Sequence, residues 1–130
     1  MSGEDVADVS EADWESLVEK SVSPVVVMFH SPTCPNCREI EPYFDEFAEE
    51  FKGKAVFMKL NVLENPRIAG RYGVMGTPTF KFYCSGRPVQ EVVGAAYPPL
   101  IKRTIEETLE RGSECARRST KIDYSMTGYA

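Results

Sequence analysis

No basic residue precedes Lys20 in this 130-residue chain, whereas Glu4, Asp5, Asp8, Glu11, Asp13, Glu15 and Glu19 all fall before it. A secretory leader needs a positive start and an apolar stretch, so none is expected. Lys and Arg number 15 against 20 Asp and Glu, a net charge of −5, which argues against nucleic acid as a partner. Long apolar runs are also missing. The longest, Val25 to Phe29, is far too short to cross a bilayer, so no membrane partner is expected. Internal repeats and low-complexity segments are absent, and the length suits one core but not two domains. We therefore expect one domain over 1–112 and a flexible tail over 113–130, where apolar periodicity ends.

Cysteine is scarce in a telling way. Cys34 and Cys37 are close, but Cys84 and Cys115 lie far from them and from each other. Without an export signal, four cysteines do not read as the disulfide framework of a small secreted domain. A cytoplasmic protein is expected, and in a reducing compartment a close pair serves catalysis or metal binding. Zinc would need a third ligand such as Cys84, and no second close pair exists, so no metal is expected. Cys84, where a strand enters the Ser85-Gly86 turn, should be partly exposed. Together with Cys115 it reads as two unrelated free thiols rather than a bridge.

What is present is ordered along the chain. Ser10-Glu11-Ala12-Asp13 resembles a capping box, and Trp14, Leu17 and Val18 share a helical face, so a helix is expected over about 11–20. Val25 to Phe29 is β-branched and apolar without alternation, as in a central strand covered on both faces. After the cysteines, Ile40, Tyr43, Phe44, Phe47, Ala48 and Phe51 mark one face of a helix. Glu39, Glu41, Glu46, Glu49 and Glu50 mark the opposite face. Pro42 inside it cannot donate to the Arg38 carbonyl and should kink it. A second strand is expected over 55–62 and a short helix from Asn65-Pro66 to Gly73. Strands over 79–83 and 89–93 should join as a hairpin around Ser85-Gly86. A last helix after Pro98-Pro99 should bury Ile101, Ile105, Thr108 and Leu109 and stop at Gly112. This β-α-β-α-β-β-α order specifies an α/β protein with a mixed sheet and helices on both faces.

The pair Cys34-Pro35-Asn36-Cys37 sits between the central strand and the long helix. Thiols two residues apart can close a small ring. At a helix N-terminus, unpaired N–H groups and the macrodipole favour the thiolate, the form that attacks disulfides. Half of a zinc site and two inert buried cysteines are the other readings, and the strand-loop-helix placement argues against both.

Cys34 and Cys37, Pro42 in the following helix, Lys59 on the next strand, Gly76-Thr77-Pro78 before the hairpin and Gly94 after the last strand together resemble the thioredoxin family. The resemblance covers about residues 6–112 and implies the thioredoxin fold, a central mixed β-sheet flanked by helices. It implies a protein-disulfide reductase with no bound cofactor, monomeric, acting on disulfide-containing proteins and re-reduced by a thioredoxin-reductase-type donor. Cys34 would be the exposed nucleophile and Cys37 the resolving thiol. Pro78 would follow a cis peptide bond, and Thr77, Pro78 and Gly94 would bind substrate. Glutaredoxin-like action on glutathione mixed disulfides and a redox-inert peptide-binding module are the alternatives.

Departures from the family pattern bear on the chemistry. Thr33 and His30 stand where tryptophans are usual. Met28 replaces a buried aspartate that relays a proton at the resolving thiol, which leaves Lys59 without its usual partner. His30, with an ordinary pKa near about 6.5, either fills the tryptophan space or tunes the site. Asn36 could donate to the Cys34 thiolate and make the pair more oxidising than a Gly-Pro pair. Arg117-Arg118-Ser119-Thr120-Lys121 reads as solvated tail.

Overall fold

Val25–His30 forms the middle strand of a five-stranded sheet in the computed structural model, which describes residues 5–94 and 98–111. Its neighbours hydrogen-bond both edges and helices cover both faces, as its unbroken apolar composition requires. Chain order is β1 (Val6–Asp8), a π-helical turn (Glu15–Glu19), β2 (Val25–His30), α1 (Pro35–Glu50), β3 (Val56–Asn61), α2 (Pro66–Arg71), β4 (Thr79–Cys84), β5 (Arg87–Val93) and α3 (Pro98–Glu110). The sheet runs β1-β3-β2-β4-β5. Strands β1, β2 and β3 are mutually parallel where they pair, whereas β4 is antiparallel to both β2 and β5. Gly112, Cys115, the basic island at 117–121 and the expected tail over 113–130 lie outside the described residues.

Alternation along the strands divides the core in two. Val26, Met28, Phe57, Phe80 and Phe82 meet Ile40, Phe44 and Phe47 of α1 and Ile101 and Ile105 of α3. Val25, Val27, Phe29, Met58, Leu60 and Tyr83 meet Trp14, Val18 and Ile68 on the other side. The mixed sheet with helices on both faces is therefore as expected.

Several local expectations are corrected. Strand β1 is an edge strand of three residues, too short to show a pattern. The expected first helix shrinks to one π-helical turn. The Asp13 carboxylate accepts from both the Ser10 amide and the Ser10 hydroxyl, closing a loop in front of the turn. Leu17 and Tyr43, assigned to buried faces, are exposed, and Glu41, assigned to the solvent face of α1, is half-buried. Asn65 sits at the N-cap of α2 but does not cap it. Glu11 does so from a distance: its carboxylate accepts from the Arg67 amide at 2.8 Å, while Asn65 Oδ1 accepts from the Glu11 amide at 2.9 Å. The hairpin turn is as expected. Ser85 and Gly86 have φ of 53° and 82°, the paired positive values of a two-residue turn matched to strand twist.

Candidate active site

The topology gathers one end of the sheet. Antiparallel pairing sets Phe29 of β2 opposite Thr79 of β4, so the chain leaving β2 and the chain entering β4 lie side by side. The first carries residues 31–34 and the second carries Gly76-Thr77-Pro78. The Thr77-Pro78 bond is cis, as expected. The Gly94 amide, past the end of β5, donates to the Pro78 carbonyl at 2.7 Å, tying two of the expected substrate-binding residues together. Gly94 has φ of 90°, a backbone region open chiefly to glycine. Met75 is almost fully exposed beside Gly76-Thr77, and Val93 is exposed beside Gly94. Neither was singled out from sequence, because an exposed apolar side chain has no periodic signature.

Leading into α1, Ser31 organises the turn. Its hydroxyl accepts from the Thr33 amide, its carbonyl accepts from the Cys34 amide, and Arg38 Nη2 donates to the Pro32 carbonyl. Cys34 is the N-cap of α1 and Pro35 takes the first helical position, where a missing N–H costs no hydrogen bond. Cys34 Sγ accepts from the Cys37 amide at 3.1 Å. Cys34 and Cys37 form a disulfide with their Cα atoms 5.3 Å apart. Cys34 is only 9 % exposed and Cys37 3 %, so the expected exposed nucleophile shows just a sliver of surface. Asn36 is exposed, and the hydrogen bond at Cys34 Sγ comes from the helix backbone.

Beneath the pair, Lys59 of β3 pairs in register with Met28 of β2 and points to the α1 side of the sheet. Its usual aspartate is absent, as expected, and a glutamate of α1 takes that place. Lys59 Nζ donates to Glu41 Oε2 of α1 at 2.5 Å, with the two side chains 21 % and 39 % exposed. Burial pulls the Lys59 pKa down, but the Glu41 hydrogen bond and charge, with Asp8 and Asp45, outweigh it and leave it raised. Asp45, one turn further along α1, has its carboxyl pushed up by burial and then by the Glu41 charge, with Lys59 opposing. No hydrogen-bond partner for its buried Oδ1 is found among the described residues.

His30 ends β2 half-buried at a cleft of about 460 Å³ lined also by Asp8, Lys59, Asn61 and Glu64. Burial, then the Lys59 cation, lowers its pKa, with Glu41, Asp8 and Glu64 pulling the other way. Among the described residues, no group of His, Cys, Asp and Glu is placed to hold a metal, and no helix is long and apolar enough to cross a membrane. Cys84 is a further correction. It is 4 % exposed and disulfide-bonded, neither partly exposed nor a free thiol, and Cys115 lies outside the described residues.

The thioredoxin family model matches residues 5–107. The chain belongs to the thioredoxin family. Among its relatives, thioredoxin 1 of Nostoc is 37 % identical over 105 residues, covering 81 % of this chain and 94 % of the relative. The thioredoxin of Synechocystis is 39 % identical over 103 residues, covering 79 % and 92 %. The chloroplastic thioredoxin M4 of Arabidopsis thaliana is 36 % identical over 107 residues, covering 82 % of this chain but 53 % of its own length. The chain thus spans about half the length of that plant thioredoxin. The fold is the thioredoxin fold, with Cys34-Pro35-Asn36-Cys37 at the mouth of α1 and cis-Pro78 at the same end of the sheet.

Proposed function

We propose that the chain is a thiol-disulfide oxidoreductase that reduces protein disulfides through Cys34 and Cys37. The observation that carries this reading is the bonded sulfur pair at the start of a 16-residue helix, with a backbone N–H already directed at Cys34 Sγ. That amide and the positive end of the helix stabilise a Cys34 thiolate. The thiolate attacks one sulfur of a target disulfide, forming a mixed disulfide and expelling the other sulfur as a thiolate. Cys37, deeper by one helical turn, then attacks Cys34 Sγ and releases the reduced target, leaving Cys34–Cys37 oxidised. A dithiol-supplying reductase returns two electrons and two protons.

Thr77, Pro78 and Gly94 form the side of the site that an extended target segment would meet, with Met75 and Val93 as apolar flanks. The chain acts as a monomer with no bound cofactor. A reducing compartment suits this chemistry. The plant relative is named chloroplastic, so the chloroplast stands beside the expected cytoplasm.

Insulin reduction by dithiothreitol, followed by turbidity, tests the reading. The parent protein should accelerate it and Cys34→Ser should remove the acceleration. No acceleration by the parent would instead favour the redox-inert peptide-binding module, and turnover confined to glutathione mixed disulfides would favour the glutaredoxin-like activity.

A further inference from the structure

A buried thiol cannot attack until it loses its proton, and Cys37 is the more buried of the pair. Met28, in the same core cluster, offers nothing to take that proton. At the spacing that shares a helix face with Cys37, the first ionisable residue along α1 is Glu41, four residues on. Helix neighbours at that spacing have Cβ atoms about 5–6 Å apart. Long helical side chains lean toward the N-terminus, so Glu41 lies over the turn that carries Cys37. Lys59 holds it there from below, reaching up from the strand position paired with Met28.

We propose that Glu41 accepts the proton of the Cys37 thiol in the resolving step, and that Lys59 is the residue that positions it. This rests on the disulfide-reductase reading above. In the mixed disulfide, the Cys37 S–H proton passes to a Glu41 carboxylate oxygen. The Cys37 thiolate forms a bond to Cys34 Sγ as the bond from Cys34 to the target sulfur breaks. The electron pair leaves on the target thiolate, which is protonated from Glu41 or water. Cys34 and Cys37 are together oxidised by two electrons and the target reduced by two. Glu41 is regenerated as carboxylate. Lys59 on β3, Asp45 on α1 and His30 on β2 interact electrostatically with Glu41, while Asp8 on β1 acts on Lys59 and His30, and Glu64 beyond β3 acts on His30. Asp45 is the rival acceptor but lies two turns from Cys37.

The probe is an aromatic disulfide such as dithiobis(nitrobenzoate) mixed with reduced protein. Cys34 releases the first thiolate and Cys37 the second, so the two phases report the two steps separately. Glu41→Gln should leave the first phase unchanged and slow the second about ten-fold or more near neutral pH, with the deficit closing as pH rises toward the ordinary thiol pKa of about 8.5. Asp45→Asn should leave the second phase unaltered. In a Cys34→Ser background, adding Glu41→Gln should lower the pKa at which Cys37 is alkylated, because a like charge is removed and Lys59 remains. A slower second phase with an easier ionisation is a pairing that loss of packing does not produce. A second phase with the parent's rate and pH profile in Glu41→Gln, or a deficit that follows Asp45→Asn instead, overturns the assignment. If the parent shows no insulin reduction, the reductase reading fails, while the Cys37 titration still decides whether Glu41 is coupled to that thiol.

Discussion

His30 is the one histidine of the chain, the side chain whose ordinary pKa lies between pH 5 and 8. In the folded protein, burial and Lys59 hold its pKa below the usual value. In the unfolded chain it takes up a proton near about pH 6.5. Between those two pKa values the unfolded state binds more protons, so stability falls as pH drops through that window and levels off below the folded pKa. Asp45 acts oppositely and lower. Its raised carboxyl pKa disfavours the folded charged form, so stability rises as pH falls through the carboxylate range. We expect the urea midpoint to drop between about pH 7.5 and 5.5, and His30→Asn to reduce that drop. An equal drop in both proteins would refute the assignment. The same neighbourhood shows where sequence was readable. Cys34, Cys37 and Pro78 declared themselves through local spacing, but the Lys59–Glu41 pair joins a strand to a helix 18 residues away. In one dimension Glu41 was simply one acidic residue among several on the polar side of α1.

At the scale of elements, legibility followed length and periodicity. Strand β2 and helix α1 were plain because long runs repeat the burial pattern many times. Strand β1 and the π-helical turn were not, because three to five residues carry no period and take their form from what they pack on. The β4–β5 turn shows the reverse case, a two-residue signal that was sufficient because only glycine fits its second position. A Cβ on Gly86 would lie 2.4 Å from the Glu19 carbonyl oxygen, and the φ of 82° adds strain. Since the obstacle is backbone, it cannot swing aside. Gly86→Ala is expected to cost about 2 kcal/mol or more in urea unfolding, from the left-handed strain plus displacement of the π-helical turn. A cost below about 0.5 kcal/mol, the usual range for neutral surface changes, would show that the turn is not held against Glu19. Glu11→Ala should cost about 1 kcal/mol, the typical value of a helix cap, by orphaning the Arg67 amide of α2. No change in the urea midpoint would assign that cap to water.

Across the whole molecule, two apolar layers share one sheet, and the reacting pair belongs to only one of them. Cys34 and Cys37 pack with Phe44, Phe57 and Phe80, whereas the sole tryptophan, Trp14, is buried on the far side against Phe29, Tyr72 and Tyr83. Trp14 is therefore a reporter for the layer without the cysteines. Strand β2 sends alternate side chains into both layers, so neither layer can melt while the other keeps its strands. Phe44 contacts Phe57 and Phe80 at ring separations of 5.5 and 5.7 Å. Truncating it to alanine should cost about 3–5 kcal/mol, a large part of the 5–15 kcal/mol by which a domain is stable. Under the shared-sheet arrangement, Phe44→Ala shifts the Trp14 fluorescence transition and the far-ultraviolet helical transition to the same lower urea concentration, although Trp14 belongs to the other apolar cluster. The milder Phe44→Leu should shift both together by less. Transitions that part company in either variant would mean that the cysteine layer opens on its own, and that the sheet does not couple the site to the rest of the protein.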